Sequence, residues 1–203
     1  MIGNFRLASD EEIDALVAEP SAVIQFLYGH DDAERTVLVS RRPKRGGFLQ
    51  RLFGGNEIVS LTASDEPGPR SVDPADELDI DKAWHGLHFL LAGEAWGGES
   101  QLGFILAGGT EIGDEDVGYG SARAFTSTQV RDIAAAFGSL TRDEIARRYD
   151  PARMMELAIY PEMWDRDPTE DDALGYLLDY FDLLKEFVRR GAASGRGMLV
   201  YLN

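Results

Sequence analysis

The strongest pattern in this chain is TEDDALGYLLDYFDLLKEFVRR, residues 169–190. Its apolar residues recur at i, i+3, i+4 and i+7, the spacing that places them on one face of an α-helix. Arg189 and Arg190 would lie in the last turn, where positive charge interacts favourably with the helix dipole. After a glycine-bounded segment, MLVYL at residues 198–202 is typical of a strand. The C-terminal part of the chain therefore predicts a long amphipathic helix followed by a terminal strand.

Upstream of this helix, three capping boxes predict the starts of other helices, because a hydroxyl and a Glu or Gln three residues later satisfy each other's backbone N–H. The pairs are Ser9 with Glu12, Thr126 with Gln129, and Thr141 with Glu144. A further helix is expected to open at Pro20 and end at Gly29. Apolar runs at residues 102–107 and 122–125 predict two short strands. Together these elements predict a single α+β domain over residues 1–203, dominated by helices and with a small mixed sheet.

Composition excludes several classes of function. The 203 residues carry 20 bases and 36 acids, a formal net charge of −16. Such a charge repels nucleic-acid phosphates and anionic lipid, so neither nucleic-acid nor membrane binding is expected. The chain has no cysteine, which excludes disulfides, thiolate metal sites and thiol nucleophiles and is consistent with a reducing compartment. With no signal-peptide core and no run of about 18 apolar residues, we expect a cytoplasmic protein.

Two segments between the helices are biased in charge. Residues 35–57 hold five arginines and one lysine, interrupted by two glycine pairs, which predicts an exposed basic arm. Nucleic-acid contact by this arm would require interleaved aromatic residues, and only Phe48 and Phe53 are available. Residues 65–81 are rich in acids, proline and glycine, which predicts a solvated acidic loop.

The basic arm is expected to be dispensable for folding, since its glycines and like charges offer little to a core. Replacing residues 41–56 by a short Gly-Ser link should leave Tm within a few degrees, because about 1 kcal/mol shifts Tm by roughly 2–4 °C at this size. Thermal denaturation of the two proteins measures this. Collapse of the shortened protein would show that the apolar residues of the arm form a core helix.

The segment LDIDKAWHGLHFLLAG, residues 78–93, resembles the signature of the YfbM-like family, a bacterial domain family of unknown function. The order of other segments is also similar: LGFILAGG at 102–109, GYGSAR at 118–123, YDPARM at 149–154 and IYPEMW at 159–164. The resemblance covers essentially the whole chain and implies a single α+β domain. It implies no activity and no catalytic residues.

The first candidate site is a polar seam formed by Asp81, His85 and His88. On a helix these residues fall within an arc of about 60° between apolar flanks, so the seam, with Trp84 beside it, is expected to be partly buried. Two imidazoles and a carboxylate could bind zinc or act as a general base. The favoured interpretation is structural: each histidine bonds a carbonyl or carboxylate in the core, and His88→Ala destabilises by leaving a buried partner unpaired. No third metal ligand is visible, so no metal is expected.

The second candidate site is GYGSAR, residues 118–123. Tyr119, Ser121 and Arg123 could donate to an anion or a carboxylate, for which the planar guanidinium of arginine is well suited. The segment has the first two glycines of a dinucleotide-binding motif, but Arg123 replaces the third and a strand follows instead of a helix. A turn in which Tyr119 packs and Arg123 forms a structural ion pair is therefore the favoured interpretation.

No complete catalytic constellation is present: the chain lacks G-K-[ST], G-x-S-x-G and H-E-x-x-H. No cofactor is expected. The leading hypothesis is a binding or protein-interaction module for a basic protein partner, of which an immunity-like role against a basic toxin would be one case. The alternative is a small-molecule enzyme or ligand-binding protein that uses Asp81, His85 and His88 with Arg123. The sequence does not indicate an oligomeric state.

Overall fold

The long helix predicted from the sequence is the central helix of the structure. The computed structural model describes residues 1–29, 73–169 and 171–203, and the helix spans Ala173–Ala193. It begins later than the apolar spacing suggests because the carboxylate of Asp172 caps it, accepting the backbone N–H of Gly175 at 2.8 Å. Arg190 lies in its last turn, whereas Arg189 pairs with Glu186 one turn earlier.

Within the described residues, five strands form one sheet. They are β1 (Gly3–Ala8), β2 (Glu77–Asp79), β3 (Thr110–Glu111), β4 (Arg123–Phe125) and β5 (Gly197–Leu202), in the order β2-β1-β5-β4-β3. The predicted terminal strand is β5, which lies in the centre, and the prediction at residues 122–125 is confirmed as β4. Every pairing is antiparallel. The α+β class is therefore confirmed, but the sheet is antiparallel and not mixed, because β5 runs opposite to both β1 and β4.

Seven α-helices are described. They are α1 (Asp10–Ala18), α2 (Val23–Tyr28), α3 (Trp84–Ala92), α4 (Ser127–Gly138), α5 (Arg142–Ala146), α6 (Pro151–Glu156) and α7 (Ala173–Ala193). All three predicted capping boxes are present, at the starts of α1, α4 and α5. A short 3₁₀ turn at Pro20–Ala22 leads into α2, which ends at Gly29 with a left-handed φ of 70°.

The sheet lies between two layers of helix. Phe5 and Val200 are cross-strand neighbours in the larger core, which they form with residues of α3, α4 and α7. Leu199 and Tyr201 alternate with Val200 and belong to a second core, with residues of α1 and α2. The alternation along β5 thus places α3, α4 and α7 on one face of the sheet and α1 and α2 on the other.

The predicted strand at residues 102–107 is wrong. The segment contains a 3₁₀ turn at Gln101–Gly103 and continues as turns, with the N–H of Ala107 donating to the carbonyl of Gly103 at 2.9 Å. A Cβ on Gly103 would lie 3.1 Å from the carbonyl oxygen of Gly98, so this tight chain crossing favours glycine. A short apolar run between glycines fits a buried turn as well as a strand, which explains the error.

The acidic segment is more ordered than predicted where the structure describes it. Residues 73–81 contain a 3₁₀ turn at Pro74–Asp76 and the edge strand β2, which pairs with β1. Residues 65–72 and the predicted basic arm at 35–57 lie outside the described residues. No helix in the described part of the chain is long and apolar enough to cross a membrane.

Candidate functional site

The predicted polar seam is divided in the structure. Asp81 begins a 3₁₀ turn, Asp81–Ala83, and has a positive φ of 48°, while α3 begins only at Trp84. The Asp81 carboxylate accepts the hydroxyl of Tyr176 on α7 at 3.3 Å and makes no hydrogen bond with His85 or His88. The predicted common arc assumed one continuous helix, so it places Asp81 wrongly.

His85 is a structural histidine with both ring nitrogens in use. Its Nε2–H donates to the carbonyl of Ala95 at 2.8 Å, and its Nδ1 accepts the backbone N–H of Tyr160 at 2.9 Å. A backbone N–H can only donate and a carbonyl can only accept, so these partners fix the neutral tautomer. Burial lowers the pKa of His85, and its bond to Ala95 offsets this only in part. One imidazole therefore fastens two loops, residues 93–98 and 158–162, to α3.

His88 does not behave as predicted. It is wholly buried, as a core histidine should be, yet neither ring nitrogen has a hydrogen-bond partner among the residues that the structure describes. Burial, with smaller effects of His85 and Arg123, lowers the pKa of His88 to about 4, so the ring is neutral at pH 7. The prediction that both histidines are satisfied is thus confirmed for His85 and wrong for His88.

The side chain of Arg123 is engaged apart from those of Tyr119 and Ser121, its neighbours in GYGSAR. The guanidinium of Arg123 donates to the carbonyls of Phe104 at 3.1 Å, Ile105 at 2.6 Å and Gly108 at 2.9 Å. These bonds replace the predicted ion pair, and burial lowers the pKa of Arg123 to about 10. Ser121 is half-buried, whereas the side chain of Tyr119 is 59% exposed. The structure therefore does not bring these three side chains together as one anion pocket.

An aromatic patch lies where the two loops held by His85 meet the surface; we define it as Trp96, Tyr119 and Tyr160. Trp96 is 63% exposed, and its ring contacts that of His85 with centroids 4.4 Å apart. Tyr160 stacks on the buried Trp84, with centroids 5.6 Å apart. Tyr119 lies near enough to Tyr160 to help raise the pKa of that phenol, after the larger effects of burial and Asp81. Large exposed aromatic groups of this kind are typical of binding surfaces.

Backbone strain is concentrated around the same patch. The three non-glycine residues with positive φ in the described chain are Asp81, Ala158 and Glu162, with φ of 48°, 50° and 60°. Ala158 and Glu162 flank Tyr160, and the charge of Asp81 acts on its phenol. Such conformations cost about 1–3 kcal/mol each and persist where the surrounding structure holds them, often at functional sites.

Exposed carboxylates lie around the patch, while the N-terminal ammonium of Met1 donates to the hydroxyl of Tyr160 at 3.5 Å. Glu94 and Glu99 flank Trp96, Glu162 follows Tyr160, and Asp116 precedes Tyr119; all four are exposed. Over the described residues no group of three or more His, Asp and Glu side chains could hold a metal ion. The patch is therefore suited to contact with a cationic surface.

Sequence reasoning named Trp84 and Tyr119 but missed Trp96 and the position of Tyr160. A tryptophan between Glu94 and Gly97-Gly98 was the available signal, because a polar, glycine-rich segment cannot bury so large a ring by itself. The link from His85 to both loops involves backbone groups 10 and 75 residues away, which no local pattern reveals.

A shallow cleft of about 250 Å³ lies between residues 98–109 and α4. Phe104, Phe125 and Ile133 supply its apolar lining, while Glu99 and Asp132 supply carboxylates. Arg123 holds the carbonyls of Phe104 and Gly108 and thereby fixes one wall. The cleft contains no residue of the predicted seam.

An antiparallel sheet between two layers of helix, with surface loops fastened by a buried histidine, defines a single α+β domain. The chain belongs to the DUF1877 family, described as a domain of unknown function, which matches residues 1–201. It is similar in structure to YfbM from Escherichia coli, a protein of unknown function, with a TM-score of 0.59, 20% identity and 98% of each chain covered. None of the curated proteins matches. The YfbM-like resemblance of the sequence is confirmed, and at this identity the structural likeness shows the fold alone.

Proposed function

We propose that this protein is a cytoplasmic binding module that takes a basic protein partner on its aromatic patch. The observation that carries the proposal is the exposure of two aromatic rings on anchored loops: His85 holds the loop of Trp96 through Ala95, and the backbone N–H of Tyr119 donates to the carbonyl of Leu202 at 3.0 Å. Tryptophan and tyrosine dominate the energetics of protein interfaces, and rings held in advance lose little entropy on binding. An immunity-like role against a basic toxin is one form of this function.

The acidic surface supports the choice of a basic partner. The chain carries −16, and exposed carboxylates flank each member of the patch. Complementary charge accelerates the encounter and excludes acidic competitors, while the aromatic rings supply short-range affinity. Cation–π contacts between partner arginines or lysines and Trp96 would combine the two effects.

Trp96→Ala is expected to abolish capture of a basic partner, because truncating a central aromatic residue typically costs 2 kcal/mol or more, about 30-fold in affinity. The matched control is Val17→Ala: Val17 is also exposed, at 41%, but lies on α1, across the sheet from α3. Wild type and both variants serve as baits in quantitative affinity enrichment from the source cell, and each captured protein is then titrated in pure form.

The proposal requires a basic protein that binds wild type and the Val17 variant equally and is lost with the Trp96 variant. If all three baits capture the same proteins, or if the Trp96-dependent partner is acidic, the proposal is wrong.

The alternative, a small-molecule enzyme or ligand-binding protein, is favoured by one observation, the cleft beside α4. The originally predicted set does not supply its chemistry, because Asp81, His85 and Arg123 are engaged with Tyr176 and with backbone groups. Native mass spectrometry of the purified protein distinguishes the classes: a retained small molecule would favour this alternative.

A further inference from the structure

The cleft beside α4 has a buried apolar base and an acidic rim. Phe104, Phe125 and Ile133 are buried and line its base. Glu99 lies on the wall formed by residues 98–109 and Asp132 on the wall formed by α4, and both are exposed. Within the part of the chain that the structure describes, these two acids are the charged residues that line the cleft. The lining therefore favours a ligand that combines a positive charge with an apolar stem.

Both rim carboxylates are available to such a ligand. Among the described residues, neither Glu99 nor Asp132 forms an ion pair or a hydrogen bond. The acids Asp179 and Asp182 on α7, in contrast, share the guanidinium of Arg142. A cation that enters the cleft can thus pair with both rim carboxylates without first breaking a bond inside the protein.

Two positive groups close to the cleft are already engaged. At the start of α4, Asp10 accepts the backbone N–H of Ser127 at 2.7 Å, so the free donors of this helix end do not call for an anion in the cleft. Arg123 does not line the cleft, and its guanidinium donates to three carbonyls of residues 104–108. Neither group presents its donors to a ligand there, so the sign of charge in the cleft is set by its rim.

The cleft adjoins the aromatic patch along the chain. Glu99 follows Trp96 by three residues, so their Cα atoms lie within about 11 Å of each other. A protein partner in a stable complex covers roughly 800 Å² of surface, which is ample to include both residues. A partner centred on Trp96 therefore extends over the cleft.

The cleft is small: its volume of about 250 Å³ lies below the roughly 300–1,000 Å³ of sites for drug-sized ligands. We propose that it receives one arginine side chain of the basic partner. The guanidinium bonds the carboxylates of Glu99 and Asp132, while its methylene stem packs on the apolar base. Arginine suits two carboxylates on separate walls better than lysine, because its planar group offers five donors in a fork. The inference rests on the proposed function, which supplies the partner.

N-acetyl-arginine amide tests the site without the partner. Titrated at low ionic strength into the ¹⁵N-labelled wild type, it should shift the amide signals of Gly98, Gly108 and Gly109, which line the cleft. N-acetyl-citrulline amide has nearly the same shape without the charge and should leave these signals unshifted. The indole N–H of Trp96 reports separately on binding to the aromatic patch.

Three variants, each of which removes one negative charge, identify the residues that bind the probe. Glu99→Gln and Asp132→Asn should each raise the Kd of N-acetyl-arginine amide about two- to fivefold, the range of an exposed ion pair. The matched control is Asp14→Asn, which lies exposed on α1 across the sheet and should leave the Kd unchanged.

Four results would overturn the inference: equal shifts from the arginine and citrulline probes, shifts confined to Trp96, no shift at all, or the same Kd in all three variants. Shifts of the glycine signals by N-acetyl-glutamate amide would also overturn it, because Arg123 would then set the charge of the cleft.

Capture of the partner separates this inference from the proposed function. The basic protein that depends on Trp96 should bind the double variant Glu99→Gln/Asp132→Asn at least about fivefold more weakly than Asp14→Asn. If it binds both equally, the inference is wrong although the proposed function stands. If the arginine probe fills the cleft and no basic protein is captured, the proposed function fails and the assignment of the cleft to a partner's arginine fails with it.

Discussion

Replacing His85 by alanine is expected to lower the free energy of unfolding by about 3–5 kcal/mol, a fall in Tm of roughly 6–20 °C. The substitution leaves the carbonyl of Ala95 and the N–H of Tyr160 without their partner. It also opens a cavity beside Trp84 and Trp96, whose rings both contact the imidazole. Chemical denaturation at pH 7 measures the loss.

Two conservative variants separate the loops that His85 holds. Asparagine retains an acceptor near the position of Nδ1, so it should keep the hydrogen bond from the N–H of Tyr160 and lose the one to the carbonyl of Ala95. Glutamine places a donor near the position of Nε2, so it should keep the hydrogen bond to the carbonyl of Ala95 and lose the one from the N–H of Tyr160. We therefore expect acrylamide quenching of Trp96 to increase more in His85→Asn than in His85→Gln. If alanine changes neither stability nor quenching, His85 does not hold the patch.

The fold could be predicted where local chemistry decides it. The capping boxes at Ser9, Thr126 and Thr141 are complete within four residues, so the helix starts followed from the sequence alone. The strand β1 was missed because its sequence, GNFRLA, has too little alternation to be distinctive, and its pairing with β5 joins the two ends of the chain. Pairing at such separation is decided by tertiary structure.

The two histidines show why the site was harder to predict. His85 and His88 lie on one apolar helix and have the same local context, yet within the described part of the chain one has two partners and the other has none. The difference arises from the loops at Ala95 and Tyr160, which reach one ring and not the other. Arg123 likewise looked like a group free to bind an anion or an acid, and the carbonyls that it holds come from a segment predicted as a strand.

The stability of the wild type is expected to fall as the pH decreases from about 6.5 to about 4. The pKa of His88 is about 4 in the folded protein and 6.5 ordinarily, so in this window the unfolded chain takes up a proton that the folded protein excludes. Protonation of His88 in the unfolded chain therefore has no effect on stability above pH 6.5 and lowers the stability of the protein by up to about 3 kcal/mol by pH 4. His85, whose pKa is also lowered, acts in the same direction. Carboxylates with a lowered pKa, such as Asp10, reduce the stability of the fold further as the pH falls below their ordinary pKa of 3.8.

His88→Leu isolates this contribution. At pH 7 the variant is expected to be more stable than the wild type by about 1–3 kcal/mol, because leucine fills a similar volume and removes an unsatisfied polar group. At pH 5 its advantage should be larger, since leucine takes up no proton in either state. This reverses the expectation from the sequence, in which His88 had a buried partner to lose. Urea denaturation of both proteins at pH 5, 6 and 7 measures the difference. A less stable variant, or an advantage that does not grow with acidity, would mean that His88 has a partner in solution.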